Sequence, residues 1–578
     1  MRSIVLSGFR LIARAVRLAR HYVIAQVVGN NSSGPGDDTE PSRCLTDSTI
    51  QVTANPSKVT YGQPSVVSWS VGLPNGCGAV HVRLNGEAVA RSGSRTVSPP
   101  RSMTFFVTAS ETRSGRYAET TRSTLLEVDY PDRVIIDAST SDPIQVLVGA
   151  LEAPNRIVGG KPIPIIVELC DVDLDLTGCS LVVGSDRSLI ASPDCARGPR
   201  SFGPRIFVTD TRGLSKPLFV IRGDNILFSG FRLEGPTSGI GSGGDRLERA
   251  IKVFPFEARE PIRNIEISNM EIFHWSGAAI DIRDNTVLME RGRLFNTNEG
   301  AVRVKNNYIH HNRHDSGNGY GVEVASGAYA LIEQNVFDEN RHAIAGGSSD
   351  GKVDYSGYTA RDNLILSEGG LHCSDRWYWA LTGWTNSWPR CWRTHQIDMH
   401  GTKSTIFLGE KCCGTAGETI IIERNTILYT KGWAIKIRGN PADKAVVDGN
   451  VFKHKSGDAI DQNGEPGFGD NISNPIDVRP NNVFGANPLD ELASCDFVGD
   501  GKQDLFMATG VTWWAKSLYT CQWRYLNTMA ERLPQLELVD IDNDGKCDVA
   551  LRPPNPTVPP RKYSKNGTGP WVPVLIEQ

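Results

Sequence analysis

Between residues 46 and 130, apolar and polar residues alternate in short runs: STIQVTA, SVVSWSV, AVHVRLNGEAV, MTFFVTA and STLLEVDY. Pro, Gly and Asn separate them. Alternation of period two is the pattern of a half-buried strand, and about seven such runs predict a small all-β unit. From 131 to 490 the pattern becomes a repeat, apolar-x-apolar-x-(Asn/Gly/Gln)-x-x-apolar. Its copies are ILFSGFRL (226–233), IEISNMEI (265–272), VRVKNNYI (302–309), ALIEQNVF (330–337), TARDNLI (359–365), IIERNTI (421–427) and VVDGNVF (446–452). The equivalent last apolar positions are Leu233, Ile272, Ile309, Phe337, Ile365, Ile427 and Phe452, spaced by 39, 37, 28, 28, 62 and 25 residues. After 490 two acidic stretches appear, DFVGDGKQDLF (496–506) and DIDNDGKCDVA (540–550).

A repeat in the twenties with two-residue alternation has a physical meaning. One coil of short strands cannot bury its inner face, but stacked coils bury a continuous apolar column. Asn tolerates a left-handed bend, and its amide can bond the Asn of the next coil. The expected fold class is therefore all-β, with a right-handed parallel β-helix over 131–490. Longer, more regular blades would be needed for a β-propeller, and the leucine signature of leucine-rich repeats is missing. Residues 220–455 resemble the pectate-lyase-like right-handed β-helix superfamily in their coil pattern. The long steps are coils carrying insertions at their turns, the largest being a Trp-rich arm at 370–418. Residues 46–130, with Trp69 as core tryptophan, resemble the immunoglobulin-like sandwiches that precede catalytic domains in secreted bacterial proteins. Residues 491–578 resemble FG-GAP repeats, and residues 1–45 form a basic segment and linker.

Composition narrows the class. The formal net charge of −4 over 578 residues argues against a nucleic-acid binder. Gly is abundant, at 58 residues, which suits short strands and tight turns. The 12 cysteines contain no CxxC pair, so a zinc ribbon or thioredoxin-like motif is excluded and disulfides in an oxidising compartment are expected. Residues 1–28 carry no acid and interleave Arg10, Arg14, Arg17 and Arg20 with apolar residues. That is a basic amphipathic helix rather than a clean signal peptide, so the export signal is atypical. No uncharged stretch is long enough to span a membrane. Secretion or a cell-surface location follows as the expectation.

Candidate chemistry concentrates in the repeat, which holds nine of the 11 histidines. HHNRHD (310–315) and DENRHA (338–343) lie 28 residues apart, one coil. Without a bulge, Asn312 sits over Asn340, Arg313 over Arg341 and His314 over His342. The asparagines read as a structural ladder. His311, Arg313, His314, Arg341 and His342 form a candidate catalytic strip that can bind sugar carboxylates or supply an imidazole base. HQIDMHG (395–401) adds His395, Asp398 and His400, either as metal ligands or as a base with its orienting carboxylate. A hydrogen-bonded loop scaffold is the competing reading. Candidate substrate-binding residues are Tyr320, Trp377, Trp379 and Trp384, whose ring faces stack on sugars, and Lys436 and Arg438, which alternate with Ile435 and Ile437 and point outward.

Uronate lyases must neutralise the carboxylate, remove the C5 proton and protonate the leaving oxygen. Arg, Lys, His and Tyr perform these tasks, and this strip supplies those types. The resemblance thus implies a lyase or C5-epimerase on an acidic, uronate-containing polysaccharide. A glycoside hydrolase on the same fold, or a non-catalytic adhesin, are the alternatives. The acidic and Gly-His-Gly motifs of polygalacturonases and the arginine signature of pectate lyases are missing. At the C-terminus, Asp540, Asp542, Asp544 and Asp548 follow D-x-D-x-D-G-x-x-D and suit structural Ca2+; the first loop has Val498 at its second acidic place. A catalytic metal is not specified by the sequence.

Overall fold

The computed structural model describes Leu45, Ser48 and residues 49–574, except 75–76, 78–79, 114–115, 192–202, 210–216, 237–247, 255–261, 284–301, 315–317, 348–354, 375–389, 402–414, 463–471 and 554–558. Three long parallel sheets dominate it. The first has 11 strands, from Arg133–Asp137 to Asp477–Val478. The second has 10, from Asp173–Asp175 to Val483–Phe484, and the third has nine, from Leu181–Val183 to Ile460–Gln462. The chain visits the sheets in turn and returns one coil later beside its previous strand. The fold is all-β, and its body is a parallel β-helix.

The repeat register is reproduced residue by residue. Leu233 pairs with Ile272, Ile272 with Ile309, Ile309 with Phe337, Phe337 with Ile365, Ile365 with Ile427 and Ile427 with Phe452. All seven are buried in one column. Each such side chain contributes roughly 1.5–3 kcal/mol on burial. Steps as unequal as 28 and 62 residues give the same register, so the extra chain leaves at the turns.

The bend after each first-sheet strand divides two roles that the sequence pattern assigns to one asparagine. Asn306, Gln334, Asp362, Arg424 and Gly449 take the left-handed backbone, with φ between 52° and 62°. The next residue in each case is a buried ladder asparagine. Asn307 Nδ2 donates to Asn335 Oδ1 (2.9 Å), Asn335 to Asn363 (3.0 Å), Asn363 to Asn425 (2.9 Å), Asn425 to Asn450 (3.0 Å) and Asn450 to Asn482 (3.0 Å). The second proton on each Nδ2 goes to a main-chain carbonyl, as from Asn363 to Ile332 O (2.9 Å). Each ladder Oδ1 also accepts the backbone N–H of the preceding ladder residue, as Asn425 does from Asn363 (3.0 Å).

One end and one face are covered. The helix Pro143–Glu152 buries Val146, Leu147, Ala150 and Leu151 against the first strands of all three sheets. After the last coil the chain forms two four-stranded antiparallel sheets, Leu492–Cys495 to Trp523–Asn527 and Leu536–Val539 to Trp571–Pro573. Each places its acidic loop between its first two strands, and the disulfide Cys495–Cys547 joins them. Met507, Trp514 and Trp523 of this segment pack on Val336, Leu364 and Leu428. The segment therefore occupies the outer face of the second sheet.

Contacts divide the described chain into two compact units, one holding residues 69–93 and 106–123 and the other 124–578 with 53–68 and 94–105. In the first, His81–Leu84 pairs antiparallel with Glu87–Val89 and with residues 107–110. Trp69 is buried there and donates to Ala90 O (2.9 Å). Cys77 and Cys170 each belong to a disulfide, while Cys179 and Cys521 are free. No helix among the described residues is long and apolar enough to cross a membrane.

Replacing Asn363 with Ala is expected to cost about 3 kcal/mol, because it strands the Ile332 carbonyl and the neighbouring amides. The same change at Asn482, the partly exposed last rung, should cost no more than about 1 kcal/mol. Urea denaturation of the two variants checks the difference.

Candidate active site on the third sheet

The middle residue of each third-sheet strand stands between inward apolar neighbours, so it points away from the column. Read along the stack, register places Lys252, Asp281, Glu323, Ala345, Lys436 and Asp461 in one row, with Asp398 between Ala345 and Lys436. Sequence reasoning singled out Asp398 and Lys436 but missed Asp281 and Glu323. The signal was present: IDI at 280–282 and VEV at 322–324 share the frame of IDM at 397–399 and IKI at 435–437.

Asp281 and Glu323 lie on adjacent coils between two arginines. Arg283 bonds both, Nε to Asp281 (2.7 Å) and Nη2 to Glu323 (2.6 Å). Arg249 Nε reaches Asp281 at 2.8 Å. Burial, and then the charge of Asp281, raise the Glu323 pKa above the usual carboxylate range.

Two coils further on, Asp398 is wholly buried. Arg438, one coil later, holds it through Nη2 (2.6 Å) and Nε (3.1 Å). His395 Nε2 lies 3.0 Å from Asp398 Oδ1, and His400 Nε2 lies 3.0 Å from Oδ2. His342 Nε2 stands 3.9 Å from Oδ2. Arg438 also contacts His400. Burial opposes the charge on Asp398, but Arg438 and the imidazoles hold its pKa well below the ordinary value. Burial pushes His342 and His395 down, and His400 down to about 3, so these imidazoles are neutral near pH 7. Tyr320, His342 and His395 stack on successive coils, with ring centroids 5.7 and 4.2 Å apart. Arg341 Nη1 donates to the Tyr320 hydroxyl (3.1 Å). Lys436 pairs with Asp461 at 2.8 Å and lies over Trp433.

The structure thus brings together Tyr320, Arg341, His342, His395, Asp398, His400, Lys436 and Arg438. It does not bring His311 and Arg313 into that hydrogen-bonded group. The stacking of Asn312 on Asn340 holds, with Nδ2 donating to Oδ1 at 2.8 Å. The stacking of Arg313 on Arg341 and of His314 on His342 does not. His314 and Asn318 are bridged to each other, and Tyr320 is the residue paired with His342. His311 takes the left-handed bend, like His274 and Glu339 on neighbouring coils. His311 lies 3.4 Å from Glu339, and Arg313 pairs with the same carboxylate at 2.8 Å. His314 is buried. His310, beside them, bonds Glu271, which accepts from Gln522 of the C-terminal segment (2.6 Å). Trp377, Trp379 and Trp384 lie outside the described residues.

Among the described residues two groups have metal-ligand composition: His342, His395 and Asp398, and Asp540, Asp542 and Asp548. In the second, Asp540 accepts from the amide of Gly545 (3.0 Å), and the Lys565 ammonium lies 3.2 Å from Asp544.

Neither a protein-family model nor a curated protein matches the chain. Among solved structures it is similar to the catalytic unit of a thermostable GH87 alpha-1,3-glucanase from Streptomyces thermodiastaticus strain HF3-3. The identity is 12%, the TM-score 0.30, and the match covers 75% of this chain and 80% of the other.

Beside the covered second sheet, burial and the charges of Glu339 and Glu368 push Asp338 up to about 7. Its folded pKa exceeds the unfolded value of about 3.9, so the folded state binds the extra proton and stability falls as pH rises through that interval. Asp338→Asn should gain stability relative to the parent between about pH 5 and about pH 8, as read from denaturation midpoints. An unchanged difference across that range would contradict the assignment.

Proposed function

We propose that the chain is an exported carbohydrate-active protein whose third-sheet cluster acts on an acidic, uronate-containing polysaccharide by β-elimination or C5 epimerisation. The observation that carries this reading is the charge and protonation of the group around Asp398. One carboxylate faces two guanidiniums, Arg341 and Arg438, while the three imidazoles are neutral. Guanidiniums beside the cluster suit bidentate binding of a sugar carboxylate. The His400 side chain is 32% exposed, which makes it the imidazole of the three that substrate can reach and the candidate to take the C5 proton. Tyr320, whose phenol pKa burial raises, remains protonated and suits donation to the leaving oxygen. Arg341 orients that hydroxyl. The disulfides support export, and the N-terminal and C-terminal units are read as immunoglobulin-like and FG-GAP-like modules that present the helix to its polymer.

A specific observation favours a second reading, glycoside hydrolysis. Asp281 and Glu323 are carboxylates on adjacent coils, and the raised Glu323 suits a general acid. The experiment that separates the readings is incubation with a panel of uronate and neutral polysaccharides. Ultraviolet absorbance of the unsaturated product reports elimination, proton exchange at C5 reports epimerisation, and new reducing ends alone report hydrolysis. Binding without any of these identifies an adhesin. On the lyase reading, Tyr320→Phe and His400→Ala each lower kcat by about 10²–10⁴-fold, and Glu323→Gln does so only if the hydrolase reading holds.

For the C-terminal loop, Asp540, Asp542 and Asp548 fit Ca2+ in donor type and convergence, and Asp544 is the remaining acid of the sequence pattern. Calcium near about 1 mM should raise the melting temperature of the parent. It should leave that of Asp540→Asn unchanged, as followed by differential scanning fluorimetry.

A further inference from the structure

His342, His395 and Asp398 show a pattern that acid–base chemistry alone does not require. His342 Nδ1 donates to the main-chain carbonyl of His395 at 2.5 Å. That bond fixes the tautomer and leaves Nε2 as a bare lone pair. His342 is wholly buried, and its Nε2 has no hydrogen-bond partner. His395 is 5% exposed; its Nδ1 has no hydrogen-bond partner, and its Nε2 lies 3.0 Å from Asp398 Oδ1. Each buried polar atom left without a partner costs about 1–3 kcal/mol. Such orphans need an occupant or a function to explain them. One ligand atom from each of the three residues lies within 4.8 Å of the others.

We propose that His342, His395 and Asp398 bind one divalent transition-metal ion of the zinc class, through a nitrogen of each imidazole and one carboxylate oxygen. Two nitrogens and one oxygen are a zinc or cobalt donor set, not a calcium or magnesium one. Bonds of about 2.0–2.1 Å around a tetrahedral ion put donors about 3.4 Å apart. The ligand atoms lie within 4.8 Å of one another, so the side chains would have to close at most about 1.4 Å to reach that value. The surroundings already resemble a second layer of support. The far nitrogen of His342 is tied to a carbonyl, and Arg438 fixes the plane of the Asp398 carboxylate. The guanidiniums of Arg438 and Arg341 are unfavourable neighbours of a cation. Arg438 reaches both oxygens of Asp398 and His400 lies on Oδ2, which leaves a lone pair on Oδ1 for the ion. Three protein donors leave the remaining coordination to water or substrate.

The site goes beyond the proposed polysaccharide reaction and is tested without it. The full chain, stripped with a chelator and held in saturating calcium, is titrated with Co2+. One equivalent should develop visible d–d absorption that Zn2+ abolishes. X-ray absorption of the zinc-loaded parent should show outer-shell imidazole scattering. His395→Gln and Asp398→Asn should lower zinc retained after gel filtration from about one equivalent to below about a tenth, with the far-ultraviolet circular dichroism unchanged. Asp542→Asn should retain it. If either buried-site variant fails to fold, the measurements on the parent decide alone. Absence of cobalt bands in the parent, an oxygen-only shell, or zinc lost with Asp542→Asn instead would each overturn the proposal. None of these readouts depends on turnover, so failure of the lyase reading is seen separately.

Discussion

Each ladder asparagine donates one amide proton to the asparagine of the next coil and the other to a main-chain carbonyl, and its Oδ1 accepts from the coil before. These amides are buried, so each unmade bond would cost about 1–3 kcal/mol. A slip of one residue would leave the amide facing an apolar side chain and would turn the strand's outer residues into the column. The ladder and the apolar column therefore enforce one another. Together they hold register constant across coils that differ by tens of residues in length, and the longer insertions are confined to the turns. Everything chemical in the molecule is placed by that register.

The same constancy stacks outward side chains about 4.8 Å apart on the third sheet. Two like charges at that spacing repel by about 3.5 kcal/mol at an effective dielectric of about 20. Asp281 and Glu323 are adjacent in this way, and Arg249 and Arg283 on flanking positions neutralise them. Ala345 then interrupts the row, so Asp398 meets no acidic neighbour on the coil before it. Its compensation comes from the coil after, through Arg438, and from imidazoles at the strand ends. The second sheet takes no comparable part because Trp514 and Trp523 of the C-terminal segment cover its outer face.

The column was legible in the sequence because it is written in a local pattern: every one of the seven aligned apolar positions is a true partner. The buried asparagines were legible as a ladder for the same reason, although the left-handed bend belongs to the residue before each. The site was legible only where a short motif held it together, as in HQIDMHG, or where alternation marked a residue as outward, as for Lys436 and Arg438. Stacking across coils was misjudged at Arg313 and His314, because the count of 28 stays intact while the pairing moves onto Tyr320. A coil's length does not reveal where its extra residues leave. Asp281 and Glu323 went unnoticed since a single acid between two apolar residues looks like any solvated strand face until register places it beside others.

Arg438 links the two proposals made for the cluster. Burying Asp398 as a lone anion would cost several kcal/mol and would raise its pKa toward neutrality. The guanidinium reverses that, and an ionised carboxylate is the form both a metal and a neighbouring imidazole require. Arg341 and Arg438 bring two positive charges to the cluster, and a bound divalent ion would add to them. An anionic sugar group is then the natural counter-ion, and its arrival relieves the repulsion between metal and guanidinium. Metal and uronate would thus bind with positive coupling, each favouring the other through the same arginine.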